Sequence, residues 1–287
     1  MVEFDIFQTV GPKDFSIIKY TVNTNKKNIL GYKNINLFSE VREFNFREVN
    51  NIDSDFFPFN LEYVQRKLKN KKRAGWVYAQ LVKMYYPFLQ NKSDYVLVVD
   101  SDVFFTKEIK FFDQNNKPYF TTSDEYHKPY FSHMLRVHPD FIRAHEKSGI
   151  SHHMLFNKEI LESMFKKVEA HHGKSFYDVY LDQIDHDEES PSADYEIYFH
   201  YVLNNFEDFY SIRELRWKNI NKLSKKEFTN CEMVSLPHYA GTRPSNLLTN
   251  LIQRKLIRFF KSINNFFYLN FKLYLNFKVK SNRKKKK

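Results

Sequence analysis

The stretch YVLVVDSDVFF, Tyr95–Phe105, drives an unbroken apolar run into two carboxylates, Asp100 and Asp102. A continuous Val/Leu run suits a strand covered on both faces, as in a parallel sheet. In open α/β sheets, ligands bind beyond the carboxyl ends of such strands. Two carboxylates one residue apart there need a cation. Without one, repulsion and desolvation would raise a pKa or unfold the strand end. Oxygen ligands suit Mg2+ or Mn2+ held together with substrate phosphates. An isolated Asp-x-Asp also occurs in ordinary strand-end turns, so the buried strand in front of it carries much of the weight.

Working outward, FDIFQTV (Phe4–Val10) reads as a first strand, closed by the Gly11-Pro12 turn signal. DFSIIKYTVNTN follows with helical spacing, Phe15, Ile18 and Val22 on one face and Asp14 as N-cap. NINLFSE and FNFREV read as second and third strands. A long helix is expected from Gly75 to Tyr86, stopped before Pro87. Val77, Leu81, Met84, Tyr85 and Phe88 form its core face, while Trp76, Gln80 and Lys83 share another. Lys107–Pro139 reads as short strands and loops. A helix is expected from Gly149 through the SHHM stretch, and another after Pro191 and Ser192. EMVSLPHYAG reads as a short strand ending at Pro237-His238. Strand–helix–strand order predicts an α/β fold with a mixed, mostly parallel sheet flanked by helices.

The chain has 287 residues, 42% hydrophobic, enough for one large domain with an appendage. The single cysteine, Cys231, excludes an internal disulfide and a cysteine-based zinc site, and suits a reducing compartment. The N-terminus has no signal-peptide pattern, and no run approaches a spanning helix. A cytoplasmic setting is therefore expected. Twelve of the Lys and Arg residues, and no acid, lie between Leu251 and Lys287. Removing those twelve from the total of +11 leaves −1 for the first 250 residues. The body is nearly neutral, which argues against nucleic acid as a partner. Residues 1–245 are expected to form the domain and 246–287 a basic amphipathic tail. The tail interleaves Leu, Ile and Phe with cations, a pattern suited to an anionic membrane surface at the inner face.

Four stretches, GWVYAQLVKMYY, YVLVVDSDVFF, GISHHMLF and SADYEIYFHYVL, come in an order that resembles a little-characterised family of GT-A-like glycosyltransferases. The resemblance spans about Phe4 to Gly241. It implies a GT-A-like, Rossmann-like fold and metal-dependent transfer of a sugar from a nucleotide-diphosphate sugar to a glycan or lipid-linked acceptor. It implies Mn2+ or Mg2+ as cofactor, with Asp102 a direct ligand, Asp100 at the ribose or a metal-bound water, and Ser101 between them. His238, in LPHYAG, takes the place of a further metal ligand. Thr9 and Val10 fall where such folds hold the nucleobase.

Gln80 and Lys83 sit on a face that could look toward the diphosphate or donor sugar. Of His152 and His153, one could meet the acceptor or leaving phosphate while the other packs; His153 is the candidate. Inverting transfer needs a carboxylate to take the proton from the attacking hydroxyl, and Asp194 or Glu196 fits that place. Asp124 and Glu125 form a further acidic pair on a loop, with no assigned role. The alternatives in other classes are a non-catalytic glycan- or membrane-binding protein on the same fold, and a metal-dependent phosphohydrolase.

Overall fold

The computed structural model describes residues 2–237, apart from 42–43, 70, 90–91 and 222–224. The expected boundary near 245, the tail 246–287 and His238 lie outside the described residues. The chain divides into two compact units, Met1–Leu215 and Arg216–Lys287. Among the described residues no helix is long and apolar enough to cross a membrane.

The first unit opens with β1 (Phe4–Thr9), α1 (Ile18–Asn28), β2 (Ile29–Leu30), β3 (Tyr32–Phe38) and β4 (Asn50–Ile52). α2 (Leu61–Lys67) and α3 (Ala74–Tyr85) lead into β5 (Tyr95–Val99), β6 (Val103–Phe105), β7 (Ile109–Lys110) and β8 (Tyr119–Thr121). Then come α4 (Lys128–Val137), β9 (His153–Asn157), α5 (Lys158–His172), α6 (Phe176–Asp182), α7 (Asp194–Asn205) and β10 (Ser211–Arg213). The main sheet has the order β4-β3-β1-β5-β9. Its first four strands are mutually parallel and β9 runs antiparallel to β5. The mixed, mostly parallel sheet expected from the sequence is present.

Strand β5 lies inside the sheet, between β1 and β9. Val96, Leu97, Val98 and Val99 are all fully buried. Each contributes about 1.5–3 kcal/mol by leaving water. That is why this stretch reads so plainly: no solvent face interrupts it with polar residues. α3 buries Ala74, Val77, Leu81 and Met84 against the sheet, and Phe7 of β1 stacks on Tyr86 at 3.8 Å. Pro87 then ends the helix, as its missing N–H requires.

The order of strands also fixes where a ligand would go. From β1 the chain moves to β3 and β4 on one side, then returns to place β5 on the other side of β1. The crossovers part between β1 and β5. A crevice forms at such a switch point, beyond the carboxyl ends of the two strands. Those ends carry Gln8, Thr9 and Val10 on β1 and Asp100 on β5.

Four local expectations are corrected. FNFREV forms no strand. Its Phe44 and Phe46 are spaced as in a strand, but Val49 breaks that period, and all three pack on the cluster of Val10, Ile18, Val22 and Leu37. The Asn51 side chain holds both the N–H and the carbonyl of Phe46, at 3.0 Å each, and bends the segment back. Asp14 is not the N-cap of α1, a place taken by Ile17. It sits instead in a 3-10 turn, buried. His152 and His153 do not start a helix, because His153–Asn157 is β9, paired to β5 with His153 opposite Val99. The helix begins only at Lys158, capped by Asn157, whose side chain accepts from Ile160 N. Finally, Lys128–Val137, read as loop, is helical. Its only fully buried positions are His133, Met134 and Val137, too sparse a stripe to announce it.

In the second unit β11 (Trp217–Asn219) and β12 (Met233–Ser235) pair in parallel. α8 (Lys225–Asn230) connects them. The short strand expected in EMVSLPHYAG is β12.

Candidate functional site

At the end of β5 the carboxylate of Asp100 gathers three partners. Lys83 Nζ of α3 lies 2.7 Å from Oδ1. Tyr195 of α7 donates its hydroxyl to the same oxygen at 3.0 Å. His152 Nδ1 lies 3.2 Å from Oδ2. The backbone joins in: Asp100 N donates to His152 O at 3.0 Å, and Gln8 Nε2 of β1 reaches Asp100 O at 3.4 Å. The cation that the opening stretch demanded is thus already supplied for Asp100, by Lys83.

Lys83 serves a second carboxylate, Asp194 Oδ2, at 3.5 Å, and its ammonium lies 4.4 Å from the centre of the Tyr195 ring. Lys83, Asp194 and Asp100 differ in exposure: their side chains are 10%, 6% and 28% exposed. Asp100 therefore remains open to the crevice while Asp194 is almost enclosed.

The electrostatics follow from that enclosure. Burial would lower the Lys83 pKa, but the two carboxylates outweigh it and hold the ammonium charged. Burial would likewise raise Asp100, but Lys83 and then His152 hold it well below the usual carboxylate range. His152 is raised, because Asp100 more than offsets its desolvation. Asp194 goes the other way. Desolvation pushes it up to about 6, since the pull of Lys83 is shared and Asp100 repels its charge. Two carboxylates around one ammonium are thereby set apart, one fixed as an anion and one able to take a proton near neutrality.

His152 has φ of 62°, left-handed backbone that costs a non-glycine residue on the order of 1 kcal/mol. This turn is what separates the two histidines. His152 meets Asp100. His153 turns into the core, where Nδ1 donates to Ser151 O at 2.9 Å and Nε2 accepts from Thr121 Oγ1 at 3.0 Å. Burial drops its pKa to about 3, so it is neutral. The geometry brings His152, not His153, to the crevice.

The other sequence candidates divide similarly. Gln80 is buried and holds the segment leading into α7. Its Oε1 accepts from Ser192 Oγ at 2.9 Å and from Tyr180, and its Nε2 donates to Ser192 O at 3.2 Å. Ser101 is buried and donates to the carboxylate of Asp14. Val10 packs its side chain into the small apolar cluster with Ile18, so only its backbone is near the crevice. Thr9 ends β1, half-buried.

Glu196 is committed elsewhere. It accepts from Ser148 Oγ at 2.7 Å, Gly149 N at 2.9 Å and His200 Nε2 at 3.2 Å. Ala144 N donates to His200 Nδ1, which leaves the proton on Nε2 for Glu196. This cluster anchors the 148–149 turn that precedes His152. Gly149 is there for space: a Cβ would lie 2.5 Å from Phe199 Cβ and 3.2 Å from Tyr195 O. Gly149→Ala should therefore lower stability by about 1–3 kcal/mol, the range for overpacking a filled interior, read from a urea melt. An unchanged midpoint would mean that the turn has room to move.

Tyr195 was not found by sequence reasoning. Among the aromatic residues of α7 nothing in the sequence sets it apart except its place beside Asp194. No group of three or more His, Cys, Asp or Glu among the described residues could hold a metal. Asp100 is already compensated by Lys83 and His152, which disfavours a second cation on the same oxygens. Asp102 is half-buried one turn residue further on, and its charge acts on His152 and Tyr195. The donors present fit Mg2+ or Mn2+ only in the mode in which one carboxylate and substrate phosphates share the ion.

A family model described as a family of unknown function, DUF6492, matches residues 10–227. No curated protein matches the chain. Among solved structures, the apo form of mouse xyloside xylosyltransferase 1 aligns with 10% identity and a TM-score of 0.44, over 85% of this chain and 100% of that one.

Proposed function

The chain belongs to the family of unknown function DUF6492, and from that premise we propose that it transfers a glycosyl group from a nucleotide-diphosphate sugar. The observation that carries the reading is the Lys83–Asp100–Asp194 cluster at the switch point of a mostly parallel sheet. The motif order around it resembles GT-A-like glycosyltransferases, and the cluster contains the two functions that sugar transfer needs. Lys83 is a fixed cation within reach of a leaving diphosphate. Asp194, with a pKa of about 6, is a carboxylate able to take the proton of an attacking hydroxyl. In an inverting transfer the acceptor oxygen bonds to the anomeric carbon, the bond from that carbon to the phosphate oxygen breaks, and the acceptor proton passes to Asp194. Bound Mg2+ or Mn2+, held by Asp102 and phosphate oxygens, would supply charge neutralisation of the diphosphate. His152 fixes Asp100. The acceptor is a glycan or a lipid-linked molecule.

The test is donor binding. In a thermal-shift panel of nucleoside diphosphate sugars with Mn2+, one donor should raise the melting temperature. At a hundred times its Kd, a ligand adds about 2.7 kcal/mol of apparent stability. Asp102→Asn should erase that metal-dependent shift without changing the melt of the unliganded protein. A variant that binds donor and Mn2+ as the parent does would remove Asp102 from the site.

A further inference from the structure

Ser123–His127 connects the two chain segments that feed the polar cluster. At one end Ser123 and Ser148 exchange backbone hydrogen bonds, both 3.0 Å, four residues before His152. At the other end His127 Nε2 lies 2.9 Å from Ser190 O, four residues before Asp194. Arg73 ties down the same place by donating to Ser190 Oγ at 2.7 Å. The loop thus spans from the His152 arm to the Asp194 arm, on the rim of the crevice. Glu125 and His152 each act on the other's titration, and Glu125 also raises that of Tyr130.

On this rim Tyr126 is 60% exposed. It is not a loose side chain. Its ring stacks on Phe131 at 5.2 Å and 23°, and the Arg143 guanidinium lies 4.9 Å from its centre and 5.1 Å from that of Phe131. Asp124, beside Glu125, is itself held by Lys147 at 2.6 Å. The result is an exposed aromatic ring propped by Phe131 and a guanidinium, with carboxylates on the two residues before it in the loop.

We propose that Tyr126, with Glu125 beside it, is the platform for the sugar ring of the acceptor, which makes the acceptor a saccharide. A pyranose has an apolar C–H face and a border of hydroxyls. The face packs on an aromatic ring, and the hydroxyls hydrogen-bond to charged groups at its edge. A bare lipid chain would need a continuous apolar groove, and Asp124, Glu125, His127 and Arg143 interrupt any such path here. A sugar seated on Tyr126 would direct a hydroxyl inward past Glu125, toward His152 and Asp194. The catalytic sense of this platform rests on the glycosyl-transfer reading; the binding of saccharide to it does not.

The experiment is a glycan array probed with the full chain in the absence of nucleotide, for the parent, Tyr126→Ala and Tyr126→Phe. The parent should bind a subset of saccharides. Tyr126→Ala should weaken that binding about tenfold or more, which is about 1.4 kcal/mol. Tyr126→Phe, which keeps the ring face, should retain it. The melting temperature of Tyr126→Ala should match the parent. A parent that binds no saccharide overturns the platform, as does a Tyr126→Ala variant that binds like the parent. Saccharide binding that depends on Tyr126, in a protein that neither binds nor hydrolyses any donor, would support the platform and remove the transferase reading.

Discussion

Lys83→Met should destabilise the protein by about 3–5 kcal/mol at pH 7.5, measured by urea denaturation. The variant keeps the length of the side chain and removes its charge. It leaves Asp100 and Asp194, whose side chains are 28% and 6% exposed, without the ammonium that both face. Removing one partner of a buried ion pair has about this cost, because the remaining charge is left in a poor solvent. The cost should shrink as pH falls toward about 6, because without the pull of Lys83 the Asp194 carboxyl takes up a proton at higher pH than in the parent and one of the two stranded charges disappears. Lys83→Met with Asp194→Asn should for the same reason recover part of the loss at pH 7.5. A loss under about 1 kcal/mol would mean that solvent reaches the cluster and screens it, so that Lys83 is replaceable there.

The same cluster explains what the sequence could and could not tell. β5 was legible because it is buried on both faces, and its carboxyl end was legible because Asp100 and Asp102 break an apolar run without warning. Their meaning was less plain. A demand for a cation could be read from Asp100, but its source could not. Lys83 is 17 residues away in sequence and joins Asp100 only because α3 packs over β1, the neighbour of β5. Helical spacing had separated Lys83 from the core stripe of α3, which is the face that a buried charge would also use. Period alone does not distinguish a solvated face from one turned into a polar interior. Asp194 and Glu196 posed a related problem. Two residues apart on α7, they had to diverge, but which one meets Lys83 depends on the 148–149 turn docking against Glu196. That contact spans about fifty residues of chain and leaves no local trace. The pair of histidines failed as helix because four apolar or aromatic neighbours suit a short buried strand as well as a helix, and only pairing with β5 decides between them.

Asp194→Asn should reduce glycosyl transfer by about 10²–10⁴-fold while leaving donor binding in place, the range for loss of a general base. Its carboxyl is ionised above about pH 6, so the parent's transfer rate should climb with pH through that value, and the variant should lack that limb. Stability supplies an independent check with the opposite sign. The pKa of Asp194 is raised in the folded chain from the ordinary 3.8 to about 6. Below both values the group is protonated in either state and contributes no difference. As pH rises from about 4 to 6 the unfolded chain ionises first, so folding becomes less favourable, by up to about 3 kcal/mol at neutrality. Asn cannot ionise, and the variant should therefore gain stability relative to the parent across that window. Urea melts of both proteins at pH 4, 5, 6 and 7 would read the difference. A constant offset between them would place the Asp194 pKa near its ordinary value and remove the basis for its role as a proton acceptor. A sloping offset without any loss of transfer would leave Asp194 as a strained companion of Lys83. The acceptor proton would then have to leave by another carboxylate on the rim, and Glu125 is the one that stands beside His152.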